Sequence, residues 1–390
     1  METIAVHSGD RKKPGAAIPV TTPIFTAASY IYDETATLDR VFGKEIAGDS
    51  YARYENPTNR ALEEQLTALE GGAGAMACAS GMMAIQFALQ AALTDRGKRV
   101  LAANALYGAT INLLHNILEP LGVEIRLVDI CDLAAVEKAV VEFRPGCVLM
   151  ETVSNPLLRV GAIDKVAAVA REAGAALVVD NTFATPMLVR PLELGAHMVV
   201  HSLTKYLSGH GDVLGGAIIG DAGHMEIVRT MGRTAGPLLG PFEAYLSMRG
   251  IKTFPLRFRQ QCENALHVAS WLVAQPRVER INFPAEQDHP DRPVIQRLFP
   301  EDRYGAMISF ELKDAGRREV FEFMDRLNLV VRATSLGDVH SMILYPAISS
   351  HRDLAPKQRE RLGIRDNLLR LSVGIEAAED IIEDLEQAMQ

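Results

Sequence analysis

Residues 176–205 read ALVVDNTFATPMLVRPLELGAHMVVHSLTK. Two short apolar runs, 176–179 and 198–200, each break off into polar side chains. Asp180-Asn181-Thr182 follows the first, and His201-Ser202-Leu203-Thr204-Lys205 follows the second. A continuous apolar run of this length marks a strand covered on both faces, the strand type of parallel sheets. Ligands of such sheets gather outside the carboxyl ends of the strands, where loops and helix N-termini converge. A carboxylate and a lysine therefore stand where a ligand is expected.

The same pattern extends in both directions. Strand-like runs are read at 99–102, 124–128, 147–150 and 213–219, and the run at 147–150 ends in Glu151-Thr152-Val153-Ser154-Asn155-Pro156. Helical periodicity fills the intervals at 110–121, 133–143 and 164–173, so the spacing predicts an α/β protein with a mostly parallel sheet. Upstream, Asn56-Pro57 is a capping pair, Leu62, Leu66 and Leu69 mark one helix face, and Gly71-Gly72 ends it. Residues 1–50, with Pro14, Pro19 and Pro23, form an irregular arm that reaches a neighbouring subunit or folds as a loop on its own domain. Around Gly250 the rhythm changes. A helix at 258–274 carries the single tryptophan, Trp271, then come strands at 306–312 and 368–373 and a helix at 379–389. This predicts three parts: an arm over 1–50, a large domain over 51–250 and a smaller C-terminal α/β domain over 251–390.

Composition narrows the class. The chain has 390 residues, 48% hydrophobic and 23% charged, ordinary proportions for a folded enzyme. A formal net charge of −9 argues against nucleic acid as a partner. Cys78, Cys131, Cys147 and Cys262 lie far apart, which excludes a disulfide framework or structural zinc site and fits a reducing cytoplasm. No signal peptide, membrane-spanning run or metal site is expected. Gly72-x-Gly74-x-x-Ala77 nearly matches a dinucleotide fingerprint, but it reads as following a helix rather than a strand. That weighs against a nicotinamide-dependent dehydrogenase, the alternative from another class. His197 and His201 flank a predicted strand, where a four-residue spacing makes no helical metal pair.

Lys205 after a buried strand is a candidate for a lowered pKa and Schiff-base chemistry. Asp180 at such a strand end is costly unless it meets a cation. Ala79-Ser80-Gly81-Met82, opening a helical run, offers first-turn backbone N–H groups to a phosphate.

The stretch Ser202-Leu203-Thr204-Lys205-Tyr206-Leu207-Ser208-Gly209-His210-Gly211-Asp212 resembles the cofactor-lysine motif of the Cys/Met-metabolism (trans-sulfuration) family of pyridoxal-phosphate enzymes. Tyr51-Ala52-Arg53, Asn56-Pro57-Thr58, Ser80-Gly81-Met82, Leu106-Tyr107-Gly108 and Ser154-Asn155-Pro156 agree in the family's order. So do Asp180-Asn181-Thr182, Ser335-Leu336-Gly337 and Arg370-Leu371-Ser372-Val373-Gly374. The resemblance covers essentially the whole chain. It implies an aspartate-aminotransferase-like fold and pyridoxal 5′-phosphate attached to Lys205, which also shuttles protons. Asp180 is implied to pair with the pyridine nitrogen and Tyr107 to stack on the ring. Gly81, Met82, Ser202 and Thr204 are implied to hold the phosphate. Tyr51 and Arg53 would reach the phosphate of a neighbouring subunit, which implies a homo-oligomer with shared sites, commonly a tetramer built as a dimer of dimers. Arg370, with Ser335 and Asn155, would clamp the substrate α-carboxylate.

The family's reactions are γ-elimination, γ-replacement and β-elimination on sulfur amino acids. Thr334 stands where many cystathionine-handling members carry a glutamate. Gly209-His210-Gly211-Asp212 and Gly337-Asp338 resemble methionine γ-lyases, whereas Ala109, the Gly232-Arg233 region, His340 and Tyr345 depart from them. The expectation is a γ-lyase releasing 2-oxobutanoate, ammonia and a thiol from methionine or a related thioether. Cystathionine γ-synthase or O-acylhomoserine sulfhydrylase chemistry is the alternative.

Overall fold

The computed structural model describes residues 19–349, 352 and 356–390. Residues 1–18 of the expected arm, Pro14 among them, lie outside them. The first long helix, Pro57–Glu70, begins where the capping pair predicts. The Asn56 side chain accepts from the Thr58 and Asn59 amides, Pro57 takes the first turn, and Gly71 ends the helix in the left-handed region. Leu62 and Leu66 are buried from it.

Seven strands follow in the chain: β1 (Gly74–Cys78), β2 (Arg99–Ala103), β3 (Glu124–Val128), β4 (Cys147–Glu151), β5 (Ala176–Asp180), β6 (Met198–Ser202) and β7 (Gly216–Gly220). They form one sheet in the order β1-β7-β6-β5-β4-β2-β3. The pairs β3–β2, β2–β4, β4–β5 and β5–β6 are parallel, while β7 runs against both its neighbours. Helices such as Gly81–Leu93, against β5, β6 and β7, and Ile163–Glu172, against β5, cover the sheet.

Three expectations need correction here. β1 was not anticipated: its five residues, GAMAC, are small and sulfur-bearing rather than β-branched, yet all are buried. Gly74 therefore enters a strand, and the near-fingerprint forms no turn between strand and helix. The strand expected over 213–219 starts at Gly216, because Val213–Gly215 is a loop whose Gly215 carbonyl accepts from the Leu203 amide. The helix expected over 110–121 is composite, α-helical over Gly108–Leu113, a π turn over Leu114–Leu118 and a 3₁₀ turn over Glu119–Leu121.

The helix expected over 258–274 is longer, running from Pro241 to Val273 through Gly250 and Pro255. Both residues read as breakers in isolation. Gly250 is required by contact: a Cβ there would lie 2.2 Å from the Ser208 carbonyl oxygen. Two turns further on Arg257 donates to the carbonyls of Tyr206, Leu207 and Gly250, tying this helix to the chain just after Lys205.

The second sheet contains β8 (Val278–Asn282), β9 (Met307–Leu312), β10 (Val331–Arg332), β11 (Met342–Leu344) and β12 (Leu368–Ser372), ordered β10-β11-β12-β9-β8. Only β9 and β12, buried at every residue, were legible as apolar runs. The last helix, Ala378–Met389, packs against Pro241–Val273.

Candidate active site

The three polar strand ends come together because β4, β5 and β6 are consecutive neighbours. Glu151 and Asp180 are register partners, side by side on β4 and β5. Ser202 ends β6, and the turn after it carries Thr204 and Lys205. A cavity of about 440 Å³ opens over these strand ends, lined in part by Gly81, Met82, Tyr107, Glu151, Asn155, Asp180, Ser202, Thr204, Lys205 and Arg370. Nine of the twelve residues expected from sequence thus face one space or its wall.

Lys205 is largely desolvated. Burial, and secondarily the Arg370 guanidinium, pull its amine down to about 8. Its Nζ donates to the Ser335 hydroxyl at 3.0 Å. Ser335, expected near the substrate carboxylate, is thus placed beside the lysine. Burial raises Asp180, while hydrogen bonds from Thr182 act in the opposite direction; the Thr182 amide lies 2.9 Å from Oδ1.

Arg370 enters from β12 of the other sheet and is buried. Its Nη1 donates to Asn155 Oδ1 at 2.8 Å, and its guanidinium lies 5.7 Å from the Phe183 ring centre. Arg370 Nε has no partner. Burial lowers its pKa to about 10, so it stays cationic at neutral pH. A buried cation bonded only to a neutral amide, with a donor to spare, is disposed to take a carboxylate.

The helix Gly81–Leu93 points its N-terminus at the same cavity. Ser80 caps it by accepting from the Met83 amide at 3.1 Å, which leaves the first-turn amides of Gly81 and Met82 without intrahelical partners. A Cβ on Gly81 would lie 3.0 Å from Ser202 Cβ, and one on Gly216 would lie 2.2 Å from the Ser80 carbonyl oxygen. Glycine is needed at 216 for the strand to approach the helix start this closely, and a side chain at 81 would be tight against Ser202. Thr204 Oγ1, expected at the phosphate, accepts from the Gly215 amide at 3.1 Å. The residues fit pyridoxal phosphate in kind: a desolvated amine, a buried carboxylate for a ring nitrogen, a half-exposed tyrosine ring and a helix N-terminus for an anion.

Tyr51 and Arg53 are not brought to this cavity. Arg53 Nη1 donates to the Arg233 carbonyl, and its guanidinium sits 4.8 Å from the Tyr54 ring centre. Arg53 lines a separate, larger cavity of about 720 Å³, together with Tyr54, Arg60, Glu63 and Arg229. Arg233, in the region read as departing from methionine γ-lyases, pairs with Glu55 at 2.7 Å. The other departures are distributed differently: His340 is exposed on Asp338, and Tyr345 is buried with its hydroxyl on the Asp366 carbonyl.

Sequence reasoning assigned no role to Glu151, nor to the apolar lining Leu214, Leu336 and Leu344. The signal for Glu151 was available. It is a carboxylate directly after a buried strand, the same pattern that singled out Asp180.

Residues 2–390 match the family model described as Cys/Met metabolism PLP-dependent enzyme. The chain is 40% identical to L-methionine gamma-lyase of Pseudomonas putida over 395 residues, covering 100% of this chain and 96% of that protein. It is 38% identical to O-succinylhomoserine sulfhydrylase of Pseudomonas aeruginosa, covering 100% and 94%. Among solved structures, cystathionine gamma synthase of Xanthomonas oryzae pv. oryzae in complex with cystathionine superposes with a TM-score of 0.88 at 38% identity, covering 95% and 92% of the two chains.

Proposed function

This chain belongs to the Cys/Met-metabolism family of pyridoxal-phosphate-dependent enzymes, and from that premise we propose that it is a γ-lyase acting on methionine or a related thioether. The observation that carries this reading is the distribution of charge around the cavity. Its cation besides Lys205 is Arg370, and its carboxyls, Asp180 and Glu151, both sit at the strand ends. Away from them the lining is Leu214, Leu336, Leu344, Thr334 and Ser349. Among the described residues such a wall suits an uncharged thioether and offers no anion to a second ammonium group.

Bound pyridoxal phosphate supplies the electron sink for a substrate α-carbanion. Arg370 holds the α-carboxylate, with Asn155 Oδ1 fixing the plane of its guanidinium. Lys205 Nζ, neutral in a sizeable fraction near pH 7, removes the α-proton and carries protons to and from the side chain. Asp180 holds the proton at the pyridine nitrogen, and Ser335 receives the lysine amine when it is free. Tyr107, which lines the cavity, would offer its ring to the cofactor. Gly81, Met82, Ser202 and Thr204 bind the phosphate, and Tyr51 and Arg53 serve the site of a neighbouring subunit. Their separation from the Lys205 cavity within one chain supports that assignment. The oligomer is then a dimer of such pairs, a tetramer. Four free cysteines suit a cytoplasmic enzyme.

A γ-replacement reading on O-acylated homoserine is favoured by one observation, the 38% identity to the Pseudomonas aeruginosa sulfhydrylase. Product analysis separates the two. The lyase releases 2-oxobutanoate from methionine with no added nucleophile. Release only from O-succinylhomoserine, with a thioether formed when a thiol is supplied, would establish the replacement reading instead.

A further inference from the structure

Two carboxyl groups lie abreast in one wall of the cavity, and only one of them has a part in the chemistry above. Glu151 is the β-sheet partner of Asp180. It is buried, its Oε1 accepts from the Tyr107 amide at 2.6 Å, and its Oε2 has no partner. Arg370 lies close enough to favour the anion electrostatically, yet it bonds the neutral Asn155 amide and forms no ion pair with Glu151. A buried carboxylate beside an available guanidinium ordinarily pairs with it.

We propose that Glu151 is a positioning residue carried as the neutral acid, so that Asp180 is the sole carboxylate of this wall and Arg370 stays uncompensated for a substrate carboxylate. This rests on the roles given above to Asp180 and Arg370.

The groups facing Glu151 sort into opposing influences. Burial is the largest and Asp180 on β5 the next; both favour the neutral acid and push Glu151 well above the usual carboxylate range. The amides of Tyr107 and Asn155 and the charge of Arg370 on β12 favour the anion and are outweighed. Asp180 is better placed to ionise. It accepts from Thr182 and feels His201 on β6, whose Nε2 lies 2.5 Å from Glu70. Where like charges share a site the proton resides on the less stabilised group, here Glu151. The neutral acid still accepts from the Tyr107 amide through Oε1, which fixes the start of the helix Gly108–Leu113 and hence the Tyr107 ring. Its unpartnered Oε2 carries the proton.

The test reads the proton directly. Infrared spectra of the holoenzyme near neutral pH should contain the C=O stretch of a protonated carboxylic acid, and part of it should vanish in Glu151→Gln. The variant is needed because burial pushes Glu63 up to about 7 as well. The second measurement is affinity for norleucine, a methionine isostere without a leaving group, read from the visible absorption of the bound cofactor. Glu151→Ala should weaken it about tenfold or more by releasing the Tyr107 amide, the scale of one hydrogen bond with a buried partner left unpaired. Glu151→Gln should restore it to within about threefold of wild type, since the amide oxygen still accepts from that N–H.

Absence of the acid band from wild type overturns the proposal whatever the variants do. So does an unchanged band in Glu151→Gln, or norleucine binding in Glu151→Gln as weak as in Glu151→Ala. Tighter binding by about tenfold in Glu151→Gln also overturns it, because an ionised Glu151 would then have been competing for Arg370. A Glu151-dependent band in an enzyme that ignores norleucine supports the neutral acid and sinks the substrate reading instead.

Discussion

Lys205 and Arg370 face one cavity from different sheets, and each carries a charge that burial opposes. For Lys205 this has a measurable sign. With its amine near 8, about a tenth is neutral at pH 7, against about one part in three thousand for an ordinary lysine. Only the neutral amine attacks an aldehyde. Attachment of pyridoxal phosphate to the apoenzyme should therefore accelerate as pH rises and level off above about 8. Stopped-flow absorbance follows it, and a rate still climbing at pH 10 would count against a desolvated Lys205. The sequence carried the Lys205 and Asp180 half of this arrangement, because both follow apolar runs directly. It did not carry the depression of the pKa, which comes mainly from burial that no local window reports and secondarily from Arg370 on a strand 165 positions further along. The bond from Lys205 to the Ser335 hydroxyl was likewise not legible, since the two lie 130 positions apart.

The helix Gly81–Leu93 and strand β7 meet where Gly216 has no room for a side chain. Gly216 faces the Ser80 carbonyl at a distance that excludes a Cβ, and Ser80 is the cap that starts the helix. Gly216→Ala should thus lower stability by about 1–3 kcal/mol through overpacking and shift the cap away from the cavity. The urea midpoint of the apoenzyme and the dissociation constant of pyridoxal phosphate report the two effects. Gly223→Ala, where the new Cβ would meet Asp221 Oδ1 at an ordinary 3.5 Å, is the control. Elements of this sheet were legible to the extent that they were apolar runs between breakers. β3 is found over the residues read for it, while β1 was missed because GAMAC resembles neither a β-branched strand nor an alternating one. The long helix was half hidden for the opposite reason. Gly250 and Pro255 look like stops, and only the 2.2 Å approach of Ser208 explains the glycine. β8, with sequence VERIN, shows too much charge to read as a strand.

At the scale of the molecule the question is how many chains make one site. The motif Tyr51-Ala52-Arg53 belongs with the cofactor residues by resemblance, yet Arg53 is bonded to the Arg233 carbonyl and lines a different cavity from Lys205. Spacing and periodicity do not reveal which subunit a side chain serves; the neighbouring subunit was implied for Tyr51 and Arg53 by the resemblance alone. The shared-site reading makes a prediction that no single-chain site allows. Lys205→Ala and Arg53→Ala should each be inactive alone, the first for want of the amine and the second for want of the phosphate contact. In a mixed dimer one site combines Lys205 of the Arg53→Ala chain with Arg53 of the Lys205→Ala chain, and that site is intact. The other site lacks both. Random pairing by a two-fold operator makes half the dimers mixed, so the co-expressed population should recover about a quarter of wild-type turnover, and mixed dimers selected by both tags about half. Turnover and the visible absorption of the doubly tagged, co-purified species measure it. No recovery in a species shown to contain both chains would mean that Arg53 serves its own subunit, and that the separation of the two cavities has another cause.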